Sequence, residues 1–267
     1  MFTKTWRSHD EAQVATAEVG LVVKSEALNP RTSRVYYELL NPAGGIIAVG
    51  HKDITLDMRR EDTLRFLARI PDSLLWSPGR PTRLALRVKT QHEGRYLEYM
   101  NFPLGFRTLE TNNGRLAVNG IPVTLRVREV PPQLDGSEIA ALRAQGYNTL
   151  KLLPGPDRRH CTTRAIRWDV RNSTGPDRHP KQRRFAPCRR QPLERPRMAR
   201  SLYRTHRRQL PTSKRHPSVI AFALATKSAN GINLYESYLN MKKFGDSRPF
   251  IYPDAAGEWN SDKLELE

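Results

Sequence analysis

Four side chains near the C-terminal end of the sequence have the chemistry to hold a sugar. Asp254, Glu258, Trp259 and Asp262 fall within one short segment, YPDAAGEWNSD. The flat ring of tryptophan packs on the face of a sugar ring, and carboxylates accept hydrogen bonds from sugar hydroxyl groups. The same composition is equally typical of an ordinary surface loop. The segment is therefore a candidate binding edge with a structural alternative.

A second kind of chemistry is concentrated in one arginine-rich block. From Arg158 to Arg215 there are 19 Lys+Arg against three acidic residues, whereas the rest of the chain has 26 against 24. Clustered arginines neutralise phosphates, so one interpretation of the block is a nucleic-acid arm. Against it, only Trp168, Phe185 and Tyr203 could stack on bases, and no DNA-binding motif is present. A solvated basic insert without a specific role is the alternative, and nucleic acid is not the favoured partner.

Several other classes of protein are excluded or disfavoured. Cys161 and Cys188 are too few for a disulfide framework or a four-ligand zinc site, and we expect neither a metal nor a cofactor. No stretch approaches the roughly 20 apolar residues that span a bilayer. The opening MFTKTWRSHDEAQ also has no apolar core of a secretory signal. From these two observations together we expect no membrane partner. The compartment in which the protein works is left open.

The candidate groups need a scaffold, and residues 11–108 predict an all-β one. Short strand patterns recur, separated by turn signals such as Asn41-Pro42-Ala43-Gly44. The predicted strands are 13–25, 34–40, 45–50, 64–70, 83–90 and 95–102. In the first of them, alternation predicts five inward positions, which are Ala15, Ala17, Val19, Leu21 and Val23. Short strands at this spacing favour an antiparallel sandwich.

After Arg107 the pattern changes to strands that alternate with helices. One helix is predicted from an N-cap at Ser137 to Gly146, and another from an N-cap at Asn233 to Gly245. The predicted strands of this part are 116–127, 149–153, 218–225 and 249–252. Apolar strand runs that alternate with helices are typical of an α/β domain with buried parallel strands.

Three stretches resemble glycoside hydrolase family 2 enzymes of the β-galactosidase kind. They are LLWSPGRPTRLALRV with FPLGFRTLETNNGRLAVNGIPVTLR, and RHPSVIAFALATKSANGINLYESYLNMKKFGDSRPFIY. The matching motif residues are Leu75, Trp76, Ser77 and Pro78; Gly105, Phe106 and Arg107; Asn119, Gly120, Pro122, Leu125 and Arg126; and Arg215 to Ser218. The resemblance covers about 11–157 and 214–262 and lapses between them.

The resemblance implies a multidomain β plus α/β fold. Residues 11–108 would form an immunoglobulin-like sandwich, 109–157 the start of a (β/α)8 TIM barrel, and 213–267 the region of barrel strands four to five. We interpret the intervening 158–212 as a frame-shifted translation without a regular packed fold, because six prolines and little periodic apolar sequence cannot offset the entropy of ordering it. Arg189–Arg200 can be encoded so that the next reading frame gives GGNPSNDPAWRE, a plausible loop. The nucleotide sequence of this region tests that interpretation.

The resemblance also implies a chemistry and positions for it. A retaining glycosidase needs two carboxyl groups about 5 to 5.5 Å apart. At the family's Gly-Asn-Glu-Ser acid/base motif this chain has Ala225, Thr226, Lys227 and Ser228. Lysine there removes the proton-donating carboxyl group, since an ammonium of intrinsic pKa about 10.4 is a poor donor at neutral pH.

Other site positions follow from the same alignment. Lys151 takes the place of an arginine, and Pro154 that of a histidine, which line the sugar site of the family. With Thr226, Glu258 and Trp259, Lys151 is a candidate substrate-binding residue. The family's nucleophile comes from a seventh barrel strand, whereas this sequence ends at Glu267, soon after the fifth. Lys227 has a plain alternative as a solvent-facing residue at a strand end.

The sequence thus predicts a fragment that resembles a family 2 glycoside hydrolase. Enzymes of that family split O-glycosyl bonds in carbohydrate metabolism, and we expect this chain to be inactive. Its partner would be a β-galactoside-like carbohydrate. The alternative is a non-catalytic carbohydrate-binding or scaffold protein.

Overall fold

The computed structural model describes residues 1–8, 13–131, 134–153, 216–224, 232–252 and 261–267, and the backbone of 168–172. The chain divides into two compact units, Met1–Thr108 and Leu109–Glu267. Each unit has its own sheets and its own buried residues.

The first unit consists of seven antiparallel strands in two sheets. The strands are β1 (Phe2–Arg7), β2 (Val14–Lys24), β3 (Arg31–Leu40), β4 (Ile46–Leu56), β5 (Glu61–Pro71), β6 (Leu84–His92) and β7 (Arg95–Leu104). The order is β1-β2-β5 in one sheet and β4-β3-β6-β7 in the other. A single 3-10 turn, Asp72–Leu74, follows β5. The six strands predicted from sequence in this part are confirmed, and β1 lies before the predicted start at residue 11.

Alternation along the strands explains how the two sheets form one core. In β5, Leu64, Phe66, Ala68 and Ile70 are buried and the residues between them are exposed. The inward positions predicted in β2 are buried up to Leu21, and Val23 packs partly buried against the same cluster. Tyr37 and Phe66, from different sheets, stack at 3.9 Å between ring centroids. The two sheets therefore pack face to face, as in a sandwich.

Local turn chemistry sets the register between β3 and β4. The Asn41 side-chain oxygen accepts from the Gly45 N–H at 2.8 Å, and the Gly44 N–H donates to the Asn41 carbonyl at 2.9 Å. Gly44 has a φ of 86°, a left-handed conformation that glycine adopts without strain. The predicted turn is confirmed.

Near the end of the unit, the N–H of buried Trp76 donates to the Phe106 carbonyl at 2.7 Å.

The described residues of the second unit form a small antiparallel sheet, a parallel sheet and two helices. The antiparallel strands are β8 (Leu109–Asn112), β9 (Arg115–Val118) and β10 (Ile121–Val123). The parallel strands are β11 (Val127–Val130), β12 (Thr149–Leu152), β13 (Trp168–Asn172), β14 (Val219–Ala223) and β15 (Phe250–Ile251). The helices are α1 (Gly136–Ala144) and α2 (Ile232–Lys242). The five parallel strands pair in chain order.

Both helices lie on the same face of the parallel sheet. Ile139 of α1 packs with Val130, Leu150 and Leu152 of β11 and β12. Leu234 and Met241 of α2 pack with residues that include Phe222 of β14 and Phe250 of β15. Leu152, Phe222 and Phe250 belong to one register row across the sheet, so their side chains point to the same side. With 9 and 11 residues, neither of these described helices is long and apolar enough to cross a membrane.

The two helix starts differ from the sequence prediction. Helix α1 is capped by Asp135 rather than Ser137, because Asp135 Oδ1 accepts from the Glu138 N–H at 2.8 Å and Glu138 Oε2 accepts from the Asp135 N–H at 2.9 Å. This reciprocal capping box satisfies two backbone donors, which Ser137 does not do. Asn233 lies inside α2 instead of capping it. Gly146 follows α1 with a φ of 89°, as predicted.

One part of the basic block has regular structure. The expectation that 158–212 lacks a packed fold is wrong for Trp168–Asn172, which forms β13 and pairs in parallel with both β12 and β14. The physical reason is non-local: two neighbouring strands satisfy the backbone groups of a short segment whatever the charge of its surroundings. The rest of 158–212 lies outside the described residues, and for it the expectation stays a prediction.

Residues 261–267 bond to both outer strands of the parallel sheet. At β15, the Asp262 N–H donates to the Phe250 carbonyl at 2.8 Å, and the Tyr252 N–H donates to Ser261 Oγ at 2.7 Å. At β11, the Val127 N–H donates to the Glu267 carbonyl at 2.6 Å. The outer strands therefore have partners on their free sides at these positions.

Candidate functional site

The face of the parallel sheet opposite the helices carries a charged pair among small buried residues. Glu129, Lys151 and Ala221 belong to one register row through β11, β12 and β14. Residues paired across parallel strands point to the same side, and this row alternates with the row that packs on the helices. Ala221 and Ala223 are fully buried. Small neighbours leave room for longer side chains on this face.

Lys151 and Glu129 form an ion pair near the carboxyl ends of their strands. Lys151 Nζ donates to Glu129 Oε1 at 2.7 Å. The lysine side chain is 9% exposed and the glutamate side chain 39%. Burying an ammonium is costly unless a carboxylate accompanies it, so Glu129 is what permits Lys151 here. The half-exposed carboxylate also presents acceptor oxygens, and the pair together can donate to and accept from a hydroxylated ligand.

The charged pair can be compared with the site of a retaining glycosidase. Such an enzyme needs two carboxyl groups about 5 to 5.5 Å apart. Among the strand residues that the structure describes on this face, Glu129 is the single carboxylate. A carboxylate in contact with an ammonium is suited to recognising hydroxyl groups.

Asp262 has a structural role in the described part of the chain. Its carboxylate accepts from the Tyr238 hydroxyl at 2.7 Å, from Lys242 Nζ at 3.0 Å and from the Phe250 N–H at 2.8 Å. Burial, and then the hydrogen bond to Asp262, raise the pKa of Tyr238 above its ordinary value. Its oxygens hold α2 and β15 together, and the part of Asp262 in a sugar-binding edge stays a prediction.

A second buried pair, Arg248 with Asp246, lies just before β15. Arg248 Nη2 donates to Asp246 Oδ2 at 2.6 Å, and the guanidinium lies 4.7 Å from the ring centroid of Phe222. Both side chains are almost fully buried. The pair lies toward the amino ends of the parallel strands, where barrel folds place residues for stability.

Comparison with known proteins identifies what this architecture is similar to. No protein-family model matches the chain. A curated β-galactosidase from Vibrio vulnificus is 25% identical over 195 residues, which cover 66% of this chain and 18% of that protein. A glycosyl hydrolase family 2 member from Bacteroides cellulosilyticus matches with a TM-score of 0.72 at 15% identity, over 94% of this chain and 34% of that one. A β-glucuronidase from Bacteroides uniformis matches with a TM-score of 0.70 at 14% identity, over 94% and 33%.

The chain resembles glycoside hydrolase family 2. It is β-galactosidase-like in sequence, and it shares the fold of part of the solved family 2 enzymes. It spans about a fifth of the curated relative and about a third of the solved structures.

The family 2 resemblance names one residue of the charged pair and misses the other. Lys151, aligned with a family arginine, is on the face described above. Glu129 was not singled out from sequence, although VREV and TLKL place Glu129 and Lys151 third in two consecutive strands. These equal positions in two parallel strands were the signal that could have predicted contact between Glu129 and Lys151. Thr226, Lys227, Glu258 and Trp259, together with Pro154 and Asp254, lie outside the described residues, so their placement stays a prediction.

Proposed function

We propose that the chain is the sandwich and the first five strands of the barrel of a family 2-like glycosidase fold. The first unit would be an immunoglobulin-like sandwich: it has seven strands in sheets of three and four over about 100 residues. The second would be part of a (β/α)8 barrel. Five parallel strands in chain order with helices on one face support this, because doubly wound sheets reverse their strand order and place helices on both faces.

The proposed function is recognition of a β-galactoside-like carbohydrate at the face that carries Lys151. The observation that carries it is the Lys151–Glu129 pair, which is close to the carboxyl ends of parallel strands, where barrel enzymes have their active sites. An ammonium and a carboxylate in contact provide donors and acceptors for adjacent sugar hydroxyl groups. The β-galactosidase from Vibrio vulnificus supports this class of ligand.

We further propose that this chain binds its sugar without hydrolysing it. By alignment, Lys227 takes the place of the acid/base glutamate. A glycosidic oxygen leaves only if it is protonated, and a carboxylic acid is the group that enzymes of this type use for it. An ordinary lysine ammonium holds its proton too tightly at neutral pH. The substitution removes the first step of the double displacement.

Two measurements on the purified whole chain test these proposals. The first is nitrophenol release from aryl β-galactosides and aryl β-glucuronides, where we expect no turnover above a mock preparation. The second is calorimetric titration with a non-hydrolysed thiogalactoside, where we expect binding that Lys151→Met weakens about tenfold, as for loss of one charged hydrogen bond. The exposed Lys52→Met is the matched control. Turnover would overturn the binding-only proposal, and absence of binding would favour a scaffold.

A further inference from the structure

The outer face of the four-stranded sheet carries a row of aromatic rings. Tyr36 of β3 lies 5.7 Å from His51 of β4 and 6.2 Å from Tyr96 of β7, measured between ring centroids, and Tyr96 lies 5.6 Å from Tyr99. Tyr96 and Tyr99 are 51% and 65% exposed. The Tyr36 hydroxyl donates to Gln91 Oε1 at 2.9 Å, which fixes the middle of the row. We call these four rings the aromatic row.

A cavity of about 440 Å³ continues from the end of this row on the same sheet. Asn101 and Pro103 line it, and they follow Tyr99 at two-residue steps along β7, so they lie on the same side of the strand. Arg83 and Arg87 are also in the lining, and none of the ten lining residues is acidic. Arg87 makes no ion pair with a carboxylate among the described residues.

The charges along the aromatic row, in contrast, are already neutralised. Arg34 Nε donates to Asp53 Oδ1 at 2.6 Å, and Lys89 Nζ lies 3.5 Å from Glu38 Oε1. A nucleic-acid strand carries a phosphate at every base and would need cations along its whole path. This surface offers stacking rings without net charge, and a cationic cavity at one end.

We propose that this face binds an oligosaccharide whose terminal ring carries an acidic group. The acidic group would occupy the cavity, where a guanidinium makes two parallel hydrogen bonds to a carboxylate or sulfate. The neutral rings that follow would pack their C–H faces on Tyr99 and Tyr96, and the exposed amide of Asn101 would hydrogen-bond their hydroxyl groups. The site lies entirely within the first unit, whereas Lys151 belongs to the second.

Calorimetric titration of the whole chain with four probes tests the proposal. The probes are a β-1,4-galactotetraose whose terminal ring is a galacturonate, the same tetrasaccharide with a sulfate on its terminal ring instead, neutral β-1,4-galactotetraose and a uridine tetranucleotide. We expect binding of one or both acidic saccharides, weaker at high salt, and at most weak binding of the neutral one. The first two probes decide between a carboxylate and a sulfate. Binding of the neutral saccharide equal to the acidic ones, or tighter binding of the nucleotide, would overturn the proposal.

Two variants locate the binding on this face. Arg87→Gln should weaken binding about tenfold and flatten its salt dependence. Tyr99→Ala should weaken it about fivefold, as for the loss of one stacked ring. The controls are Arg69→Gln and Trp6→Ala, an exposed arginine and an exposed tryptophan on the other sheet, and they should remain within about twofold. Equal losses in the controls, or a dimer in sedimentation that Tyr99→Ala dissociates, would assign the face to another role.

Discussion

Lys151 Nζ and Glu129 Oε1 are 2.7 Å apart, and the two residues are direct partners in the register of β11 and β12. Contact between the charges is thus a consequence of strand pairing. Either residue alone would leave a charge on a face where Thr149, Ala221 and Ala223 are fully buried.

Removing one partner of this pair should destabilise the second unit more than removing both. Glu129→Gln is expected to lower the free energy of unfolding by about 1 to 3 kcal/mol, because the buried ammonium loses its carboxylate. Glu129 is partly exposed, which keeps the loss below that of a fully buried pair. Lys151→Met with Glu129→Gln should recover part of it. Urea unfolding of Glu129→Gln, Lys151→Met and the double variant measures this, and additive losses would contradict the coupling.

Replacing Asp262 should loosen the contact between α2 and β15. Asp262→Ala leaves three donors without their acceptor, those of Tyr238, Lys242 and Phe250. We expect a loss of about 2 to 3 kcal/mol in unfolding free energy, and a smaller loss for Asp262→Asn, which keeps one oxygen. Tyr238→Phe, which removes a single hydrogen bond, is the control. If all three variants unfold at the same urea concentration, the carboxylate is not the common acceptor.

The Arg34–Asp53 pair should contribute to stability only above acidic pH. Two hydrogen bonds from Arg34, at 2.6 and 2.9 Å, hold the pKa of Asp53 below its ordinary value of 3.8. A carboxyl group whose pKa is lowered by folding stabilises the fold above its unfolded pKa, and the contribution is lost as the pH falls through the folded value. The melting temperature of the wild type should therefore exceed that of Asp53→Asn at pH 6.

That difference should shrink as the pH falls below about 4 and vanish below the lowered pKa of Asp53, where both forms carry a neutral group at position 53. Asp62→Asn, at an exposed carboxylate without an ion-pair partner among the described residues, is the control and should show little change with pH. If the difference in melting temperature between the wild type and Asp53→Asn is constant from pH 6 to pH 2.5, the ion pair contributes nothing to folding.

Amide exchange should separate β13 from the rest of the basic block. The backbone of Trp168–Asn172 pairs with β12 on one side and β14 on the other, so its amides should exchange slowly. The composition of 173–212 predicts fast exchange there. Mass spectrometry of peptides from native exchange measures both. Fast exchange throughout 168–172 would contradict the strand, and slow exchange over most of 173–212 would contradict the interpretation of the block.

What the sequence could predict was local. Alternation in β5 identifies Leu64, Phe66, Ala68 and Ile70 as core without any knowledge of the other sheet. The turn at Asn41 also follows from residue type alone, because its side chain and a glycine supply the needed hydrogen bond and dihedral angle.

What the sequence missed depends on partners far away in the chain. Helix α1 begins at Asp135 because a reciprocal pair with Glu138 competes successfully with Ser137. β13 exists because two other strands flank it, which composition does not reveal. Glu129 joins Lys151 through strand register across 22 positions, and Asp262 accepts hydrogen bonds from donors 12 to 24 positions away. Only one of the two residues of the candidate site, Lys151, was therefore predicted from the sequence.

The seven residues 261–267 hydrogen-bond to β15 at one end and to β11 at the other. These two strands are the first and last of the parallel sheet, so a single short segment joins its two margins. Because the segment is bonded to both outer strands, a force that pulls on β11 or on β15 is transmitted to the other. A single peptide-bond cleavage between Asp262 and Glu267 would break this link, so the amides of β11 should lose protection while Ser261 and Asp262 remain in place beside β15.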